Sequence, residues 1–70
     1  MTPKPQTFGE AVRLARGKVS LRTYSEATGV PLVTLHGIER GAMPQARTIA
    51  ALARATGMSL AKCFRLLGLA

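Results

Sequence analysis

The sequence predicts an all-α fold of five short helices. Glycines and capping residues divide the chain at short intervals, and the apolar residues between them recur with helical spacing. No segment has the β-branched alternation and hairpin turns that strands require. Hydrophobic residues make up 47% of the chain and aromatic residues only 4%, so small aliphatic side chains must form the core. Such a core suits closely packed helices.

The first two helices have capping signals at both ends. Thr7 followed by Glu10 has the spacing of a capping box, and the helix that it starts is predicted to end near Gly17. Ser20 is predicted to cap a short second helix, which Gly29 ends in a left-handed conformation. The residues predicted to share one face are Phe8, Ala11, Val12 and Ala15 in the first helix, and Leu21, Tyr24, Ala27 and Thr28 in the second.

Glycine and proline separate the last three helices. Proline is favoured at the first position of a helix, so the third helix is predicted over residues 31–40. An alanine-rich run predicts a fourth helix over residues 46–56, and Ser59 is predicted to cap a fifth that ends at Leu66 or Leu67. The apolar stripes of these helices hold Leu35 and Ile38, then Ile49, Leu52 and Ala53, then Leu60, Cys63, Phe64 and Leu67.

Residues 7–70 are predicted to form one domain after a short tail. Chains split into separate cores only at several times this length, so 70 residues have room for one core. Pro3 and Pro5 favour extended backbone over residues 1–6. A domain of this size buries only about 60% of the surface that its unfolded chain exposes, so we expect association with a second copy to add stability.

The composition indicates a binding protein rather than an enzyme. One cysteine, Cys63, and one histidine, His36, are too few for a zinc site of Cys and His ligands. The three carboxylates, Glu10, Glu26 and Glu39, fall on three different predicted helices, and no phosphate-binding loop or nucleophile elbow occurs. We therefore expect no catalysis, no metal and no cofactor.

Charge and hydropathy indicate the kind of partner and the compartment. Ten Lys and Arg against three Glu give a formal net charge of +7 and a pI near 11.3, which favours a polyanionic partner. No apolar stretch has the length of a signal-peptide core or a membrane span, so we expect no membrane association and a cytoplasmic location. Cys63 is then expected to be reduced, as a small core residue rather than a redox sensor.

The connection between the second and third helices is the most informative part of the sequence. Two short helices joined by a tight turn, with Gly29 followed by the apolar Val30, describe a helix-turn-helix. In that motif the second helix lies in the major groove of DNA and the first crosses the phosphate backbone. The charge excess makes double-stranded DNA the expected target.

The chain resembles the lambda-repressor-like, Cro-type helix-turn-helix regulators from about Phe8 to Phe64. The most specific segment is Thr34-Leu35 followed by Ile38-Glu39-Arg40-Gly41, after the turn Gly29-Val30. Further matching segments are Phe8-Gly9-Glu10, Arg13, Arg16-Gly17, Ser20, Pro44, Thr48-Ile49, Leu52-Ala53, Gly57-Met58-Ser59-Leu60 and Phe64. The resemblance implies a compact five-helix DNA-binding domain that acts as a small transcriptional regulator, a Cro-like repressor occupying operator DNA.

The resemblance also implies a DNA-contacting surface around the third helix. Where the family usually places polar or basic residues facing the bases, this chain has Leu32, Val33, His36 and Gly37. Leu32 and Val33 are predicted to contact thymine methyl groups. Leu21 stands where the family commonly has a glutamine that contacts the DNA backbone. Phosphates are expected to bind the N-termini of the second and fourth helices and the side chains of Lys18, Arg22, Arg40, Gln45 and Arg47.

Two further expectations concern contacts within and between chains. Arg13 and Arg16 are expected to pair with Glu26 or to cover apolar surface rather than to contact DNA. The last turn gathers apolar residues that one small core cannot fully cover, which predicts a homodimer seam; the alternative is that they close the core of their own chain. The predicted seam consists of Phe64, Leu66, Leu67 and Leu69.

A second function remains open on the same residues. Leu21, Leu32, Val33 and Gly37 also fit a protein-binding face on a helix-turn-helix scaffold. The chain would then be an interaction module, such as an antirepressor or assembly factor, with only nonspecific DNA affinity. Control by a regulatory protein partner is compatible with either function. A basic amphipathic peptide at a membrane surface fits less well, because regular caps and turns indicate a folded globule.

Overall fold

Five helices form in the order that the sequence predicts. The computed structural model describes residues 7–69, and its helices are α1 (Phe8–Arg16), α2 (Leu21–Thr28), α3 (Leu32–Glu39), α4 (Ala46–Thr56) and α5 (Leu60–Leu66). No strand is present in this part of the chain, in agreement with the all-α prediction. The tail predicted over residues 1–6 lies outside the described residues, as does residue 70.

Three helices begin with the caps that the sequence predicts. The hydroxyl oxygens of Thr7, Ser20 and Ser59 each accept a hydrogen bond, at 3.1 Å, from the backbone N–H three residues further on. Each bond satisfies an N–H group that has no partner within the helix, and such a cap contributes about 1 kcal/mol. These three residues therefore set where α1, α2 and α5 begin.

Helix α3 is one residue shorter at each end than predicted. Pro31 is its N-cap and not its first helical residue, because its ψ of 143° is extended although its carbonyl oxygen accepts the first intrahelical hydrogen bond. At the other end, the N–H groups of Arg40 and Ala42 both donate to the Gly37 carbonyl, so the chain leaves the helix after Glu39. Proline lacks an N–H group, which suits it to the position just before a helix as well as to the first position within it.

The core is formed by apolar side chains from all five helices. Val12, Leu35, Leu52 and Cys63 are completely buried, and Phe8 is 2% exposed. The other members of the buried cluster are Tyr24, Val30, Ile38, Ile49 and Ala53, with Leu21, Ala51, Met58, Leu66 and Leu67 packed against it. The sequence therefore predicts most of the core correctly.

Cys63 is a core residue, as predicted. Its side chain is completely buried in α5, and this burial raises the pKa of the Cys63 thiol above its usual range. A buried neutral thiol is a poor nucleophile, because the thiolate is the reactive form. Cys63 therefore packs as a small apolar side chain.

Four residues on the predicted apolar faces are exposed instead. These are Ala15 in the last turn of α1, Ala27 near the end of α2, and Leu60 and Phe64 in α5. In α1 all the buried residues lie between Phe8 and Val12, in the first half of the helix. Helical spacing identifies the side of a helix that faces the core, but not how far along that side the neighbouring helices extend.

Helices α1 and α3 approach each other most closely at Gly9. A β-carbon at this position would overlap the backbone carbonyl oxygen of Ile38 and lie 3.2 Å from the Cα of Glu39. Both are backbone atoms, which cannot rotate away as the end of a flexible side chain can. Gly9 is therefore required for α1 to lie against the C-terminal half of α3.

Candidate nucleic-acid interface

A left-handed glycine and a buried valine hold the turn between α2 and α3. Gly29 has φ 76° and ψ 8°, which residues with a β-carbon rarely adopt, and its N–H donates to the Ser25 carbonyl at 2.9 Å. Val30 follows and is 3% exposed, as part of the core. Its carbonyl accepts a hydrogen bond from the Ser25 hydroxyl. These contacts fix the direction in which α3 leaves α2.

An ion pair joins the end of α1 to the end of α3. Arg16 donates to both carboxylate oxygens of Glu39, from Nε to Oε2 at 2.9 Å and from Nη2 to Oε1 at 3.0 Å. A third bond runs from Arg16 Nη1 to the Val19 carbonyl at 2.7 Å. The Arg16 and Glu39 side chains are only 17% and 9% exposed, and the hydrogen bond to Glu39 raises the pKa of Arg16 above its already high ordinary value. The expected pairing of Arg16 with Glu26 is wrong, because the guanidinium of Arg16 binds Glu39 and the Val19 carbonyl instead.

The outward face of α3 is centred on Val33. An α-helix turns about 100° per residue, so with Leu35 and Ile38 in the core the opposite side is that of Val33 and Arg40. Val33 is 84% exposed, the highest value among the large hydrophobic residues that the structure describes. The other residues predicted to face bases lie around it: His36 is exposed, Gly37 is half-buried, and Leu32 is 38% exposed at the edge of the face.

A groove of about 670 Å³ lies beside this face, between α3, the loop that follows it and the start of α4. It brings together Val33 and Gly37, which are predicted to face bases, with Gln45 and Arg47, which are predicted to bind phosphates. The groove therefore joins predicted contacts from two different helices, 8 to 14 residues apart in the sequence.

Thr34, Thr48 and Met43 are among the groove residues that were not predicted as contacts. Thr34 and Thr48 line it, and each directly follows a predicted contact residue on its helix. A wider arc of helical positions would have included both threonines. Met43 also lines the groove and is 60% exposed, but it lies in the loop before α4, where helical spacing gives no signal.

The segment that forms the turn and lines the groove also matches a family of proteins. Residues 10–63 match a family model described as Helix-turn-helix. The chain belongs to this family. Its type is that of the Cro and C1 regulators, which confirms the lambda-repressor-like resemblance and its fold. The comparisons with curated proteins and with solved structures give no match.

Membership of the Helix-turn-helix family assigns general roles to the helices. The family consists of DNA-binding regulatory domains rather than enzymes. In the helix-turn-helix, α3 takes the place of the recognition helix and α2 that of the helix that crosses the phosphate backbone.

No helix within residues 7–69 is long and apolar enough to cross a bilayer.

The remaining predicted phosphate ligands of this helix-turn-helix are exposed but do not line the groove. Lys18 lies in the loop before α2, Arg22 in the first turn of α2, and Arg40 at the C-cap of α3. Arg47 lies near the start of α4 and lines the groove beside α3. The exposed cations therefore come from the segments before and after α3 as well as from its C-cap.

The N-termini of α2 and α4 use their backbone N–H groups in similar ways. Gln45, the N-cap of α4, makes no side-chain capping bond, but its carbonyl accepts a hydrogen bond from the Thr48 N–H at 3.0 Å. At α2 the Ser20 hydroxyl accepts a hydrogen bond from the Thr23 N–H. In each helix the first two N–H groups have no partner within the helix, as expected for a phosphate-binding N-terminus.

The four residues of the predicted dimer seam fall into two pairs. Leu66 and Leu67 are half-buried and pack against the core of their own chain. Phe64 and Leu69 are 37% and 59% exposed. Leu60 lies one turn before Phe64 and is 48% exposed, so it adds to the apolar surface of α5. Phe64 and Leu69 are thus only partly covered within one chain.

Proposed function

We propose that the chain is a small transcriptional repressor that binds operator DNA as a homodimer, with α3 in the major groove. The observation that carries this proposal is the exposure of the outward face of α3. Its outward face is exposed beside a groove lined by Arg47, in a Helix-turn-helix domain whose chain has a net charge of +7. Such a charge attracts any double-stranded DNA, and the exposed recognition helix then selects among sequences.

Phosphate contacts set the orientation of the bound domain in this proposal. Arg47, Gln45 and the first two N–H groups of α4 bind the DNA backbone beside the groove, and Lys18, Arg22, Arg40 and the N-terminus of α2 bind it elsewhere around α3. The base edges then meet the outward face of α3, which consists of Leu32, Val33, His36 and Gly37. Repression follows because a bound domain excludes polymerase from the operator.

The homodimer is proposed on the exposed apolar surface of α5. Phe64 and Leu69, together with Leu60, pack against the same residues of a second copy around a two-fold axis. Leu66 and Leu67 support this surface from within their own chain. Two recognition helices in such a dimer lie about one turn of DNA apart, roughly 34 Å, and require an operator with two-fold symmetry.

The remaining parts of the proposal concern organisation and location. Residues 7–70 act as one DNA-binding domain, and residues 1–6 are a tail that precedes it. The protein acts where DNA is found, which for a repressor of this kind is the cytoplasm. A regulatory protein partner would control it by removing it from the operator.

A protein-interaction function is the second candidate, and the apolar character of α3 favours it. Val33 and Met43 are 84% and 60% exposed, and the outward face of α3 has few hydrogen-bond donors for base edges. Such a face also fits an apolar groove on a protein. In that case α3 binds the partner, and the positive charge gives only nonspecific DNA affinity.

Two arginines on α4 provide a matched test of the DNA-binding geometry. Arg47 lines the groove beside α3, whereas Arg54 lies two turns further along the same helix and lines a different surface depression. Both are exposed. We expect Arg47→Ala to weaken DNA binding about fivefold and to lower the slope of log K against log salt by about one.

Arg54→Ala removes the same charge and is expected to leave the affinity within about twofold, because an exposed charge about 10 Å from the bound phosphates is largely screened at physiological salt. The measurement is fluorescence anisotropy on a labelled duplex at several salt concentrations. Equal losses for the two variants would contradict the proposed orientation of α4, since they would indicate that only the total charge matters.

A further inference from the structure

We propose that Val33 sets the sequence preference of the domain by contacting the 5-methyl group of thymine, and that Gly37 provides the space for this approach. The inference rests on the proposed function and makes it more specific, since it names the base feature that α3 recognises. It depends on the exposure of Val33, the surroundings of Gly37 and the chemistry of the major groove.

Val33 is the most exposed large hydrophobic residue that the structure describes, at 84%. Neither folding nor helix formation explains a valine there. A β-branched residue loses side-chain freedom in a helix, and this one gains little burial within its own chain. Covering an isopropyl group of this kind with another apolar surface is favourable, so Val33 is suited to contact a partner.

Gly37 lies one turn after Val33 and is not required by the fold. A β-carbon at this position would meet only the Ala42 β-carbon, at an ordinary contact distance of 3.6 Å. Gly9, in contrast, lies directly against backbone. Glycine makes a helix less stable than alanine does, so the fold alone would favour alanine at position 37. We therefore attribute the glycine to the close approach of a partner from outside.

The chemistry of the major groove specifies which base such a surface can recognise. Guanine, adenine and cytosine offer hydrogen-bonding groups there but no methyl group, whereas thymine adds an apolar methyl group to its acceptor. A valine beside a glycine has no side-chain donor or acceptor. The thymine methyl group is therefore the feature of a base edge that Val33 can contact favourably.

Deoxyuridine substitution tests this inference directly. Each thymine of a duplex obtained by selection is replaced singly by deoxyuridine, which removes the methyl group and keeps every hydrogen-bonding group. We expect about fourfold weaker binding at one or two positions of each half-site, the effect of one buried methyl group. With Val33→Ala protein, the same replacements should have little further effect.

Two variants control for changes in folding. Val19→Ala removes the same group from an exposed valine in the loop after α1, and it should keep the full deoxyuridine effect. Gly37→Ala should bind the selected duplex about tenfold more weakly while unfolding at a higher temperature than the parent. A loss of DNA affinity with a gain in stability cannot come from a damaged fold.

The outcomes separate the inference from the function on which it rests. If a duplex is selected but deoxyuridine weakens binding at no position, Val33 does not recognise methyl groups, and the repressor proposal stands without this inference. If the deoxyuridine effect persists unchanged in Val33→Ala, another residue makes the contact and the inference is wrong. If no duplex is selected at all, the proposed function fails and the inference fails with it; binding of a protein to the α3 face would then support the second candidate.

Discussion

Gly9→Ala is expected to lower the free energy of unfolding by roughly 1–3 kcal/mol, although alanine is the better helix former. The added β-carbon overlaps the Ile38 carbonyl oxygen and crowds the Glu39 backbone, so α1 and α3 must move apart. For a domain of this size, a loss of 2 kcal/mol lowers the melting temperature by roughly 10 °C. Urea denaturation followed by circular dichroism measures the change.

Gly37→Ala is the matched control for this prediction. It makes the same substitution within a helix but meets only the Ala42 β-carbon, so helix propensity should dominate and raise stability by up to about 1 kcal/mol. The two alanine variants should therefore change stability in opposite directions. A Gly9→Ala protein at least as stable as the parent would show that α1 and α3 are not held as closely as the structure places them.

Glu39→Ala is expected to cost about 2 kcal/mol, because it leaves the Arg16 guanidinium mostly buried without its anionic partner. The pair is bidentate, and a third bond to the Val19 carbonyl fixes Arg16 further. Removing one member of such a pair destabilises the fold, because the remaining charge stays desolvated without a partner. Replacing both members by apolar residues costs less, because it leaves no buried charge. Arg13→Ala, at an exposed position of the same helix, should change stability by less than about 0.5 kcal/mol.

A double-mutant cycle separates the ion pair from the packing of the two side chains. Its single variants are Arg16→Met and Glu39→Leu. The double variant that combines them has no unpaired charge, so it should be clearly more stable than Glu39→Leu alone. The effect should depend little on salt, because the pair is shielded from solvent. Additive effects of the two single changes would mean that Arg16 and Glu39 do not interact in solution.

The helices could be predicted from the sequence because their boundaries depend on local chemistry. Thr7, Ser20 and Ser59 cap the N–H groups three residues ahead, and Gly29 takes the left-handed conformation that ends α2. Each of these interactions lies within a few residues and leaves a signature in the sequence. The misplaced ends of α3 show the limit of this argument, since proline is compatible with two adjacent positions.

Contacts between distant segments could not be predicted in the same way. Arg16 pairs with Glu39, 23 residues away, and not with Glu26, because the choice depends on how α1 crosses α3. The requirement for Gly9 at that crossing has the same origin. Leu67 packs against the core one turn after Cys63, as helical spacing predicts, whereas the exposure of Leu60 and Phe64 on the same stripe depends on where α5 lies on the domain.

The candidate site was partly accessible from the sequence. The family resemblance indicated Val33 and Gly37, which the structure places in one groove with Gln45 and Arg47. Met43 was missed because it belongs to an irregular loop, whose path follows from the packing of the helices on either side. The groove forms only when α3 and the start of α4 pack together, so the sequence of either helix alone does not predict it.

Selection of bound sequences from a random pool of double-stranded DNA, at about 150 mM salt, tests the central claim most directly. At this ionic strength a protein that binds only through its charge is held weakly, so enrichment depends on recognition of bases or DNA shape. We predict a motif with two-fold symmetry, with thymines in both half-sites and half-site centres about one turn of DNA apart. Recovery of no motif, with binding that disappears as salt rises, would contradict the claim that α3 is the recognition helix of a DNA-binding repressor.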